Sequence, residues 1–540
     1  HNTRCELLSA RRARSGSTAP EILAGLGNSL IEARTRSHVL QGVGWSAAFL
    51  FVSRLSSVLA VPLVLHSLGP ALYSVWVMGG VLIMVQSLFD LGLAAASIRF
   101  VAIAAARASR PAVLTVFWRS LLFYVALSLV VAVPLWIFAP ELSEIIPSLQ
   151  GRNAAQAVAL LRYVGVAFGL TNVTLVLASV LQGIDRVDAA YRGQTIGWLF
   201  YVPLLAIGLR LGSPIEAVGL AWVCAFSIQV VVLAVDTWFA VAGLPRQKVP
   251  APSLRQMLSL GGWLQLSSWA DFATFQLPRL AGGFVLSPSA LISLDVAMRA
   301  AQLVVAPLFA VYPLVLPTVA KLWTLRGADG LRAFLDRWFV AGAIALALFS
   351  VPFIPLEGPA LAAWTGRPIG SFNLWLNGAV LLGVVAHAST GLFSSACLAV
   401  GDVRAIVSYK RRQLLAALVL ILPAMLVGAV AVGFALGLAL LGPALEFNRK
   451  QINAFRLTLP SSRSPLWLRL GVGLILELAG LSALTTLLRG TLPAWAVASI
   501  TFPLWVGGCA AASIWCWRYW AEQQSREADF AAPNAGRAVS

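Results

Sequence analysis

Charge is scarce in this 540-residue chain. Asp, Glu, Lys and Arg together make up 11% of it. A soluble domain carries about 25% charged residues, so an ordinary water-soluble fold is excluded. Acid is scarcer than base, with 21 Asp and Glu against 39 Lys and Arg, and lysine contributes four of the 39. There are five cysteines and no CxxC pair, so neither a disulfide framework nor a zinc site is expected. The four histidines (His1, His38, His66 and His387) stand far apart, which argues against a His-based metal or catalytic cluster. No cofactor is expected. Long polar stretches are missing too. The longest segments between apolar runs are 241–256, 317–334 and 448–465, too short to hold a soluble catalytic domain. What remains is 59% hydrophobic, which also excludes a disordered chain.

A bilayer core about 30 Å thick takes about 20 apolar residues per helix. Runs of that kind predict fourteen spans: 39–64, 72–94, 113–138, 158–181, 194–212, 215–240, 257–285, 290–316, 335–353, 372–398, 413–428, 430–447, 466–488 and 493–516. The apolar stretch 413–447 is divided at Gly428 or Gly433. The expectation is therefore an all-α polytopic membrane protein. Residues 1–38 form a flexible basic tail, 39–240 and 257–447 two six-helix bundles, 466–516 two extra spans, and 517–540 a second tail. Lys and Arg favour the cytoplasmic side of a membrane. With both termini inside, thirty basic residues lie in or beside the tails and inner loops, four lie outside, and five lie within spans. The net charge of +18 is then a topology signal, and no nucleic-acid partner is needed. Lys410, Arg411 and Arg412 are expected in an inner loop as anchors.

Two short matches recur at an offset of 218 residues: Gly44-Trp45 with Gly262-Trp263, and Leu68-Gly69-Pro70 with Leu286-Ser287-Pro288. The offset lays span 1 on span 7 and span 2 on span 8, as parallel repeats would, with a substrate site between the halves.

Charges inside spans are costly and normally face a bundle interior or a wet cavity. Arg119 and Arg162 lie close enough to span ends to snorkel. Asp90, with Arg99 in reach, and Asp236 sit near inner ends and suit structural pairs. Arg54 lies too deep for that and shares its helix side with Ser46, Ser53 and Ser57. Span 7 carries Gln265, Ser268, Asp271, Gln276 and Arg279 on one polar face. Span 8 carries Asp295, Arg299 and Gln302 at i, i+4 and i+7. The polar residues thus gather on spans 1, 7 and 8. Arg54, Arg279, Arg299, Gln276 and Gln302 are expected to bind substrate in one central cavity, with Asp271 and Asp295 as its acids or coupling-ion ligands. Structural ion pairing is the alternative. Three guanidinium groups favour an anion such as phosphate. Glu477, at mid-depth in span 13, has no evident partner, and spans 13 and 14 are candidates to border a lipid-facing groove.

The segment from Pro62 through His66, Gly69, Pro70 and Tyr73 to Trp76, followed by Phe89-Asp90-Leu91-Gly92 and Arg99, resembles the opening hairpin of bacterial polysaccharide (Wzx-type) flippases. Leu181-Gln182-Gly183 and Val296 to Arg299 resemble further family positions. These flippases share a superfamily with multidrug (MATE) antiporters and lipid II flippases. The resemblance extends over about residues 40–450. It implies two six-helix bundles in a V, alternating access and a bacterial inner-membrane location. It also implies transfer of an undecaprenyl-pyrophosphate-linked oligosaccharide, with a polymerase and glycosyltransferases as pathway partners. In the lipid II branch, arginines on spans 1 and 8 line the cavity, where Arg54 and Arg299 fall here. A cation-coupled small-molecule antiporter is the first alternative, although the first half lacks a mid-depth acid. A membrane enzyme of glycan assembly is the second, and it would have to rely on loop acids such as Glu141 and Glu144.

Overall fold

The computed structural model describes residues 19–145, 154–211, 214–247, 249–366, 373–457, 465–489 and 492–535. It is helical throughout, as an apolar chain must be to satisfy its backbone inside lipid. The first half comprises α1 (Ala19–Met84), α2 (Gln86–Phe89), α3 (Leu93–Ala106), α4 (Arg110–Ile137), α5 (Ala139–Ile145), α6 (Ala154–Gly183), α7 (Val187–Leu211) and α8 (Pro214–Ala242). The second half comprises α9 (Leu254–Phe275), α10 (Leu277–Val285), α11 (Pro288–Ser350), α12 (Phe353–Thr365), α13 (Leu374–Ser389), α14 (Gly391–Val400), α15 (Val403–Met425) and α16 (Ala429–Ala454). Two more, α17 (Pro465–Arg489) and α18 (Ala494–Ala535), pack on α11 and α12. Large apolar side chains such as Leu122, Val130, Trp238 and Phe239 face outward, as a lipid-facing surface requires.

Eleven of the described helices are long and apolar enough to cross a membrane. The other three expected spans fall on helices that do not qualify singly. Span 2 is continuous with span 1 in α1, where Gly69 (φ 70°, ψ 178°) makes the turn that a side chain would strain. Span 7 is broken between α9 and α10, where Pro278 lacks the N–H that would carry the helix through. Span 11 begins earlier than expected, at Val403, so Lys410, Arg411 and Arg412 stand on α15 and not in a loop. The turn inside 413–447 falls at Gly428, and Gly433 lies within α16. Residues 19–38, expected as part of the tail, continue α1 toward its start, and 1–18 lie outside the described residues. α18 runs well into the segment expected as the second tail.

The two ends of the molecule are closed differently. At the end marked by Gly69 and Pro288, one apolar cluster joins the halves, with Val61 and Tyr73 packed with Ile292, Val296, Leu361 and Ala362. There the Trp364 indole also donates to the Val58 carbonyl at 2.8 Å. At the opposite end, the Gln265 amide donates to the carbonyls of Ser87 (2.8 Å) and Leu88 (2.9 Å), and the Trp269 indole donates to Leu88 at 2.9 Å. These are neutral groups closing on backbone. The connection between the halves is tied down by Ser109 Oγ donating to the Gln247 carbonyl and Arg119 donating to that of Pro252.

The hairpins matched in sequence are built alike. Both α1 beyond its kink and α11 start on a proline, Pro70 and Pro288, and Ser287 caps α11 by accepting from the Ala290 amide.

Candidate functional site: an arginine-lined cavity between the halves

Between the two closures lies a cavity of about 460 Å³. Its first-half wall comes mainly from α1, α6, α7 and α8, including Arg54, Trp76, Trp198, Tyr201 and Trp222. The second half contributes four residues: Gln276, Arg279, Arg299 and Gln302. The five residues singled out in sequence as substrate ligands therefore line one space. No Asp or Glu is among the described lining residues.

Each arginine is held in its own way. Arg54 on α1 is the exposed one, and its Nη1 donates to Gln302 Oε1 of α11 at 2.6 Å. Arg279 on α10 is 7% exposed, and its Nε lies 2.7 Å from Asp295 Oδ1 in a close ion pair. Arg299 Nε donates to Asp295 Oδ2 at 2.8 Å, the i,i+4 pair that the spacing suggested. Arg299 Nη1 reaches across to α1 and donates to the Ser57 hydroxyl. Its guanidinium lies over the Trp76 ring at 4.9 Å, a cation–π contact. Tyr73, past the kink of α1, donates its hydroxyl to Asp295 Oδ2 at 2.6 Å.

Asp295 is thus fully buried and shared by two guanidiniums and a phenol. A buried carboxylate needs such partners to stay ionised. It stands behind the cavity wall, positioning Arg279 and Arg299 at the lining. Counting Arg54 with this cluster, three positive charges meet one negative charge, which leaves the cavity cationic.

Asp271 is placed elsewhere. The break before Pro278 splits the expected polar face of span 7. Gln276 and Arg279 turn to the cavity, Gln265 goes to the closure at Leu88, and Asp271 goes into the second half. There Lys410 Nζ lies 2.5 Å from Asp271 Oδ1, and Gln413 reaches both Asp271 (3.4 Å) and Thr274 (3.0 Å). Tyr409 beside it bonds His387 Nδ1 at 2.7 Å. Lys410 is therefore an internal counter-ion and not a surface anchor.

The remaining singled-out charges pair locally. Arg192 donates to both oxygens of Asp236 at 2.9 Å. Asp90 accepts from the Tyr124 hydroxyl and the Ala94 amide, where sequence suggested Arg99. Arg162 lies over the Trp136 ring. Cys509 Sγ lies 3.7 Å from Glu477 Oε2, and no described residue of α17 or α18 lines the cavity. Glu141 and Glu144 are exposed on α5. Sequence reasoning missed Tyr73 and Trp76 as supports of the cluster, and it set Ser57 beside Arg54 without marking Arg299 as its partner. Tyr73 and Trp76 did stand in the motif at 62–76, but nothing local marked what they touch.

An α-helical membrane protein with a cationic chamber between two halves has the architecture of an alternating-access transporter. The comparisons agree. Residues 39–323, just over half of the chain, match the model of the polysaccharide biosynthesis protein family. The chain belongs to that family, and with it to the multidrug/oligosaccharidyl-lipid/polysaccharide exporter superfamily of membrane transporters. Among solved structures, the lipid II flippase MurJ in its inward closed conformation matches with a TM-score of 0.62. It is 13% identical, and the match covers 88% of this chain and 99% of that one. A multidrug resistance MATE family transporter in its inward-facing conformation matches with a TM-score of 0.57. It is 18% identical, and the match covers 78% of this chain and 95% of that one. At these identities the likeness is one of fold. No curated protein matches the chain by sequence.

Proposed function

We propose that this protein flips an undecaprenyl-pyrophosphate-linked oligosaccharide across the bacterial cytoplasmic membrane for polysaccharide assembly, with both termini in the cytoplasm. It works as a transporter and not as an enzyme. Upstream glycosyltransferases supply its substrate and a polymerase consumes the product. The observation that carries this reading is the cavity lined by three arginines and no described acid. A drug-efflux antiporter for cations would want the reverse.

Guanidinium pairs with phosphate oxygens in bidentate geometry and tolerates burial better than ammonium. The charge count supports the Gly69 end outside, and in this reading the closure at Leu88 faces the cytoplasm. Opening the Leu88 end breaks three neutral hydrogen bonds to backbone and admits the headgroup. The pyrophosphate then meets Arg54, Arg279 and Arg299. Gln276, Gln302 and Ser53 are at hand for sugar hydroxyls. Release outside requires parting Tyr73 and Ser57 from Asp295 and Arg299, since those contacts span the halves. An anion bound to Arg299 competes with Ser57 for the Nη1 N–H that crosses the halves. Substrate in the cavity thereby loosens the contact that holds the outer end shut.

In cells, Arg54→Ala and Arg299→Ala should each abolish surface polysaccharide while the protein still inserts at normal levels. Normal export in both variants would remove this assignment of the site.

A further inference from the structure

The buried acids of the second half differ in one respect. Asp295 has two arginines, and Asp336 has Arg332. Glu357 on α12 is equally buried at 2% exposed, yet no described cation pairs with it, and its Oε2 has no hydrogen-bond partner. The polar side chain against it is Asn377 of α13, itself 1% exposed. The helices packed on α12 are α1, α11, α13, α17 and α18. Among their described titratable groups, His66 bonds the Pro62 carbonyl at the far end of α12, Glu477 and Cys509 face each other, and Asp295 and Asp336 hold arginines. None of these forms an ion pair with Glu357.

α12 is also part of the outer closure. Phe353 and Leu356, on the turn that carries Glu357, pack with Leu376 and Val380 of α13 and with Trp505 of α18. One turn on, Leu361 and Ala362 pack with Val61 of α1, Trp364 bonds Val58, and Gly366 lies against the His66 ring. Parting the halves at this end takes Leu361, Ala362 and Trp364 off α1 and frees the stretch of α12 that begins one turn beyond Glu357. With the halves closed, Glu357 is a buried carboxyl that has no described cation. An ionised carboxylate is not stable there, so the group must enter as the neutral acid.

We propose that Glu357 is a proton-binding site linked to the outer closure, taking one proton from the outer solution as the halves close there and returning it when they part. The carboxylate becomes a carboxylic acid, and no other bond changes. The inference rests on the alternating-access reading of the fold and is independent of which substrate is carried.

Burial pushes the Glu357 carboxyl up to about 8 in the closed form, against an ordinary value of 4.5 once hydrated. The closed form therefore binds more protons than the open form across that window, and it gains as pH falls. Spin labels at the exposed outer residues Ser67 and Ser289, in a full-length chain whose native cysteines are replaced, would report the outer distance in lipid nanodiscs without substrate. The ratio of closed to open forms should rise by up to tenfold per pH unit as pH falls from about 8 toward 5, and level off above that range. Glu357→Gln should keep the closed distance at every pH. Asn377→Ala should move the upper edge of the window to higher pH, since that amide favours the charged form. His66→Gln should leave the response in place. A wild-type distance indifferent to pH, or a Glu357→Gln chain that keeps the wild-type response, would overturn the proposal. Either result would leave the arginine cavity and its substrate untouched.

Discussion

Two polar clusters sit within the same apolar scaffold and do different work. The cluster of Arg279, Asp295 and Arg299 borders the cavity and is completed from the first half by Tyr73 and Ser57. The cluster of Asp271, Lys410, Gln413, Tyr409 and His387 closes on itself within the second half. Both satisfy the demand that charge in lipid be paired. The difference is whether the partners move relative to each other when the halves part. A pair confined to one half can stay intact through transport, whereas a pair across the seam must be remade in every cycle. Exposure separates them as well. Asp295 is fully buried, whereas the Asp271 side chain is 45% exposed.

Substitutions can break or sharpen that contrast. The largest effect belongs to the seam. Asp295→Asn leaves Arg279 and Arg299 without their counter-ion and should cost about 3–5 kcal/mol of stability. A thermal melt in detergent would read this as a large drop in Tm, with export lost. Next comes a packing test inside the second half. A Cβ on Gly383 would lie 2.7 Å from the Gly437 backbone, whereas one on Gly378 meets nothing within 4 Å. Gly383→Ala should cost about 1–3 kcal/mol by overpacking, and Gly378→Ala should leave the melt unchanged. Asp271→Asn should cost about 1 kcal/mol, because solvent screens a half-exposed pair and the amide oxygen still accepts from Lys410. Export should persist. A loss of export as severe as that in Asp295→Asn would erase the distinction between the clusters. Gln302→Leu should move least. It frees an Arg54 that is already exposed, so stability should hold while anion binding weakens by less than tenfold.

Much of the fold was legible because the membrane imposes a simple rule on long apolar runs, and the charges that break those runs stand out. Arg54, Arg279 and Arg299 were visible as charges too deep for lipid. Their convergence followed from placing spans 1, 7 and 8 together. Of the pairing, the local Asp295–Arg299 contact was legible and the long-range contacts were not. Tyr73 meets Asp295 across 222 residues, and Lys410 meets Asp271 across 139, separations that no local spacing encodes. Asp271 was misplaced because one polar face was drawn along a helix that Pro278 breaks. Glu357 escaped notice for another reason. It lies on a 13-residue helix between spans, where a window of about 20 apolar residues does not look and an acid reads as loop.

The most direct test of the central claim is the binding of a short-chain polyprenyl pyrophosphate to the purified full-length protein, wild type against Arg54→Ala, at low and high salt. The account predicts salt-sensitive binding by the wild type, weakened about tenfold or more in the variant, as the loss of a charge-assisted contact requires. Equal affinity in the two proteins would contradict it.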